Sequence, residues 1–82
     1  MTQASTLATD AIAREMALTV NGAERRVPAG FTVADLLASL ELDARTVVIE
    51  RNGIILRDRS SFAMMELTAD DKLEIVHFVG GG

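Results

Sequence analysis

The dipeptide Asn-Gly occurs twice in this chain, at Asn21-Gly22 and Asn52-Gly53. Between extended runs it is the strongest short-range hairpin signal, because both residues tolerate the positive φ that a tight primed turn demands. Both copies have suitable flanks. Met16, Leu18 and Val20 alternate ahead of the first turn, and Ala23 to Val27 returns with Glu24 and Arg26 on its outer face. Thr46-Val47-Val48-Ile49-Glu50 precedes the second turn and is rich in β-branched residues, which favour strands; Ile54-Ile55-Leu56 follows it. Two hairpins each leave an apolar face that some other layer has to cover.

The segment between them supplies that layer. Pro28-Ala29-Gly30 ends the first hairpin, since proline cannot donate to a ladder. Thr32 is then placed to cap a helix, with Asp35 where a capping-box acid belongs. Val33, Leu36, Leu37 and Leu40 recur at helical spacing and form one apolar stripe, which predicts a helix ending near Leu40, before a loop over 41–45. After the second hairpin, 57–66 reads as irregular, with Arg57-Asp58-Arg59 a solvated loop. Phe62, Met64, Met65 and Leu67 are expected to close one end of the core. Ala69-Asp70-Asp71 reads as a turn, because Asp bonds its own nearby backbone. Lys72 to Phe78 is the last strand. The expected fold is α+β: a mixed four- to five-stranded sheet with one main helix on one face. Leu18, Val20, Leu36, Leu37, Leu40, Val47, Ile49, Ile55, Leu73 and Ile75 are the expected core.

Composition narrows the function. With 82 residues there is room for one small domain. Apolar content of 49% is enough for a core, and the lack of Trp and Tyr makes that core aliphatic. A net charge of −4 argues against non-specific nucleic-acid binding and suits a partner with basic contacts. The absence of cysteine removes disulfides, thiolate metal sites and thiol catalysis, and is compatible with the cytoplasm, the expected location. No apolar run is long enough to span a bilayer, and the N-terminus lacks the pattern of a signal peptide. Residues 1–15 read as a flexible extension that allows a short helix around 7–14; 16–79 read as the folded domain.

The chemistry-bearing positions cluster at the end. His77 is the lone histidine, and no serine or cysteine motif offers it a nucleophile, so it reads as a rim residue. No metal-ligand cluster and no phosphate-loop pattern is present. If Leu73 and Ile75 face the core, Glu74, Val76 and Phe78 face away, leaving an exposed apolar pair just ahead of Gly80-Gly81-Gly82. The exposed pair is either a contact surface or a patch covered by the rest of the sheet or by the N-terminal extension. The glycines form either a frayed terminus or a slender tail that presents the Gly82 carboxylate inside a narrow partner site.

Taken together, these pieces resemble the ThiS family, the ubiquitin-like β-grasp sulfur carriers of thiamine biosynthesis. The matching residues are Val20-Asn21-Gly22, Thr32-Val33-Ala34-Asp35-Leu36-Leu37, Glu50-Arg51-Asn52-Gly53 and, most specifically, Asp71 through Gly82. The resemblance covers residues 16–82, and the chain departs from the family at Arg57 to Phe62, where proline and tryptophan are common. It implies a chain that is no enzyme itself. An E1-like adenylyltransferase of the ThiF type, using ATP and magnesium, would adenylate Gly82. A cysteine desulfurase or other donor would supply sulfur for a terminal thiocarboxylate, and a thiazole synthase of the ThiG type would take it. Val76, Phe78, Val79, Gly80 and Gly81 would meet these partners. A molybdopterin-synthase small subunit is the alternative, although its tail usually carries proline before the glycines. A ubiquitin-like modifier and an inert interaction module are further alternatives.

Overall fold

In the computed structural model, which describes residues 14–78, both Asn-Gly pairs adopt the left-handed conformation that a primed turn requires. Asn21 and Asn52 each have φ of 51°, followed by 84° at Gly22 and 85° at Gly53. The elements follow in the expected order: β1 (Glu15–Val20), β2 (Ala23–Pro28), helix α1 (Val33–Ser39), β3 (Val47–Arg51), β4 (Ile54–Ile55) and β5 (Lys72–His77). They make one five-stranded sheet in the order β2-β1-β5-β3-β4. The strand β1 starts at Glu15, one residue before the expected boundary. The N-terminal helix expected around 7–14 lies outside the described residues except for Arg14, which is not helical, and Val79 and the three glycines lie outside them.

The chain forms α1 where its caps dictate. Thr32 Oγ1 accepts from the Asp35 N–H at 3.0 Å, and Asp35 Oδ2 accepts from the Thr32 N–H at 3.0 Å, a complete capping box. The helix lays Val33, Leu36 and Leu37 on the sheet, against Leu18, Val20, Val27, Val47, Ile49 and Leu73. Leu18, Leu36 and Leu73 are fully buried, and each such leucine contributes roughly 2 kcal/mol by leaving water. Leu40 and Ile75, both expected inside, pack on the rim of this core and are half-buried.

Several expectations need correcting. Ile55 is 42% exposed and not a core residue. Its strand is two residues long and sits at the sheet edge, and the register Glu50↔Ile55 turns it to the face that α1 does not cover. The segment 57–66 is not irregular throughout: Arg59–Met64 forms a 3-10 turn capped by Asp58. With about three residues per turn, Phe62 and Met65 fall on the core side, whereas Met64 is turned out and is 81% exposed. Arg59 is not a freely solvated loop residue, because it donates to the carbonyls of Ala44 at 2.8 Å and Val47 at 3.1 Å.

Candidate functional site

β5 is the central strand, and its position decides what its end presents. It runs parallel to β1 (Thr19↔Lys72, Val20↔Leu73) and antiparallel to β3 from Val47↔His77 to Arg51↔Leu73. The pleat sends alternate side chains to opposite faces. Leu73 points under α1 and is fully buried, while Val76 and Phe78 point to the uncovered face, 62% and 49% exposed. The expected exposure of this pair is therefore what the fold produces. Val48 stands opposite Val76 on the same face and is half-buried. Beside them Glu50 and Glu74 stand directly opposite one another, and neither forms an ion pair among the described residues. Like charges so placed repel, which mildly opposes the fold. The uncovered face thus combines a small apolar patch with a paired carboxylate edge.

The start of β5 is anchored more tightly than the sequence suggested. Asp71 is buried and ion-paired to Arg51, with Nη2 at 2.8 Å and Nε at 2.9 Å. It also accepts from the Asn52 amide at 2.8 Å and the Thr68 N–H at 2.8 Å. Burial by itself would raise this carboxyl's pKa. The Thr68 N–H, the Asn52 amide and the Arg51 guanidinium together outweigh that effect and hold it below the ordinary carboxylate value. No local pattern announces the arrangement, because Arg51 and Asp71 are far apart in sequence. Asp70 does sit in a turn, at φ 71°.

Both turn asparagines also brace β5. Asn52 Oδ1 accepts from the Lys72 N–H at 2.8 Å. Asn21 Oδ1 accepts from the Ile75 N–H at 2.7 Å, and Asn21 Nδ2 donates to the Ile75 carbonyl at 3.2 Å. The Asn21 side chain therefore takes the place of the next peptide of β1, which has already turned away. At the far end the Phe78 N–H donates to the Thr46 carbonyl at 2.9 Å.

His77 is exposed, with Nε2 3.3 Å from Thr46 Oγ1. The single Thr46 hydroxyl hydrogen goes to the Asp43 carbonyl at 2.8 Å, so the hydroxyl does not also donate to the ring. That geometry does not make His77 a base for Thr46. No group of three or more His, Cys, Asp or Glu among the described residues is placed to hold a metal. Among the described residues no helix is long and apolar enough to cross a membrane. What the fold does build is a braced central strand, exposed on one face, that runs directly into Val79-Gly80-Gly81-Gly82.

Known proteins resemble this chain in sequence and fold. The model of the ThiS family matches residues 12–82. The sulfur carrier protein ThiS of Bacillus subtilis is 47% identical over 51 residues, which cover 62% of this chain and 76% of that protein. A thiazole synthase of Paramagnetospirillum magneticum is 48% identical over 67 residues, 82% of this chain; the match spans only 20% of that protein's length. The crystal structure of a thiamine biosynthesis protein (ThiS) from Geobacter metallireducens superposes with a TM-score of 0.66 at 36% identity, covering 82% of this chain and all of that one. The fold, the braced last strand and these likenesses agree: the chain belongs to the ThiS family.

Proposed function

We propose that this protein is a sulfur carrier of thiamine biosynthesis and is itself a co-substrate, not an enzyme. The observation that carries the reading is the exposed Val76 and Phe78 on a rigidly braced strand that leads into three glycines. A carboxylate is a poor electrophile until one of its oxygens becomes part of a leaving group. Here a carboxylate oxygen of Gly82 attacks the α-phosphorus of ATP on an E1-like adenylyltransferase, and pyrophosphate departs. The magnesium that balances the phosphate charge belongs to that enzyme. A persulfide on a cysteine desulfurase or another donor then adds through its outer sulfur to the acyl carbon, and AMP leaves with the oxygen. A thiol cleaves the S–S bond of the resulting acyl disulfide, becomes a disulfide itself, and leaves the thiocarboxylate on Gly82. A chain without cysteine has no thiol of its own to hold the sulfur, so the terminus is where it resides. Thiazole synthase accepts it, and the likeness to proteins of that name supports this partner. Gly80 and Gly81 give the tail a narrow profile, and Val76, Phe78 and Val79 dock. The reaction belongs in the cytoplasm, where ATP is held.

The test is intact mass after incubation with the activating enzyme, ATP and a sulfur source. A gain of about 16 Da, sulfur for oxygen, is expected at the activated acyl carbon and should reverse with thiazole synthase and its substrates. An unchanged mass, with an enzyme shown to be active on another carrier, would make the chain an inert module.

Docking has its own test. Replacing Val76 with Asp should raise the KM of the carrier for adenylation about tenfold, which corresponds to about 1.4 kcal/mol, because the change removes an apolar contact and also places a charge that has to be desolvated at the interface. Its kcat should change little. The side chain is 62% exposed, so folding stability should move by less than about 1 kcal/mol. An unchanged KM would remove the uncovered face from the interface.

A further inference from the structure

β5 outruns its neighbour. Odd-numbered residues of this strand bond toward β1: the carbonyls of Asp71 and Leu73 accept from the N–H groups of Thr19 and Asn21, each at 2.9 Å, and Ile75 is satisfied by the Asn21 side chain. Even-numbered residues bond toward β3, as the bonds of Lys72 and Phe78 with Asn52 and Thr46 show. The next odd residue is His77. Its N–H and C=O point to the side where β1 has ended, and no described residue pairs with either of them. Alongside this open rung lies a groove of about 380 Å³, with Leu40, Leu42, Val47 and Ile75 as its apolar lining and Asn21, Glu24, Arg25 and His77 as its polar lining.

This rung differs from the sheet's outer edges. The outer strand β2 carries Glu24, Arg25 and Arg26 and ends in Pro28; β4 is only two residues long. Charge, proline and brevity are the usual means of keeping an edge from pairing. The rung at His77 carries no proline and sits in the middle of the sheet, with Glu24 and Arg25 at the rim of its groove and not on the rung itself. A donor and an acceptor on one residue, facing the same way at ladder spacing, match an extended backbone and not a helix. The Asn21 amide already shows that this edge accepts a peptide-like group one rung earlier.

We propose that the enzyme that activates the tail adds an extended segment to β5 at His77, pairing with its N–H and C=O and lowering an apolar side chain into the groove between Leu40, Leu42, Val47 and Ile75. This rests on the carrier reading. The activating enzyme is the occupant because the rung lies two residues before Val79 and immediately upstream of the segment whose carboxylate must be aimed at ATP. Gripping the last rung fixes where the tail begins and what direction it takes.

Amide hydrogen exchange tests it. In the complex with the activating enzyme, the His77 N–H should exchange at least about a hundredfold more slowly than in the free chain. A semisynthetic chain with an ester in place of the His77 amide removes the donor without added bulk. Its KM for adenylation should rise about tenfold with kcat retained, the loss of one hydrogen bond. Free-chain exchange at His77 in a saturated complex, or slowed exchange with an unchanged KM for the ester, would overturn the pairing. If adenylation proceeds in either case, the carrier reading stands. If the enzyme neither binds nor adenylates the chain, both fall.

Discussion

A chain lacking Gly81 and Gly82 should fold as the full chain does and accept no sulfur. The capping box, the core and the sheet bonds all lie within residues 14–78, so the far-UV spectrum and thermal midpoint should match those of the full chain. The reacting carboxylate would then sit on Gly80, about 7 Å short of its proper reach. Misplacement of even 1 Å can cost a hundredfold, so thiocarboxylate formation should fall by well over about a hundredfold. A truncated chain that gains sulfur at a comparable rate would sink the terminal-carboxylate mechanism. The experiment also separates a tail that does chemistry from one that is merely frayed.

The largest stability effect should come from Asp71. Replacing it with Ala leaves Arg51 without its carboxylate and the Asn52 amide and Thr68 N–H without an acceptor. Removing one partner of a buried pair costs about 3–5 kcal/mol, and the low end applies because Arg51 keeps some solvent and its bond to the Glu66 carbonyl. A loss of about 3 kcal/mol in a domain this small lowers the thermal midpoint by more than about 10 °C. The acid dependence follows from the same contacts. The folded carboxyl titrates below its unfolded value of about 3.9, so its contribution is complete above roughly pH 5 and is lost as pH falls through the folded value. The gap in urea midpoint between the wild-type chain and Asp71→Ala should therefore be smaller at pH 3 than at pH 7. An equal gap at both values would show that the ion pair contributes little.

Local chemistry was legible in the sequence, and long-range chemistry was not. The two Asn-Gly turns, the Thr32–Asp35 cap and the alternation of β5 depend on neighbours within a few residues, and each took the form its spacing predicts. Exposure of Val76 and Phe78 followed from the same alternation once Leu73 was placed inside. Ile55 failed because alternation in a two-residue strand does not tell which face the helix covers. Met64 failed because a three-residue period, not an irregular loop, sets which side of that segment turns inward. The Arg51–Asp71 pair and the bracing of β5 by two asparagine side chains join residues brought together only by the sheet. Asn-Gly announces a turn, and nothing in it announces that the amide will also stand in for a missing strand.

The parallel pairing of β1 with β5 has a practical consequence for attachment. Thr19 lies beside Lys72, so the chain enters β1 on one side of that point and leaves β5 on the other. At about 3.3 Å per extended residue, Glu15 and Phe78 stand roughly 30 Å apart at opposite poles of the sheet. The chain therefore enters the sheet and leaves it at opposite poles. A label placed at Glu15 thus reports on the pole of the sheet opposite to Phe78.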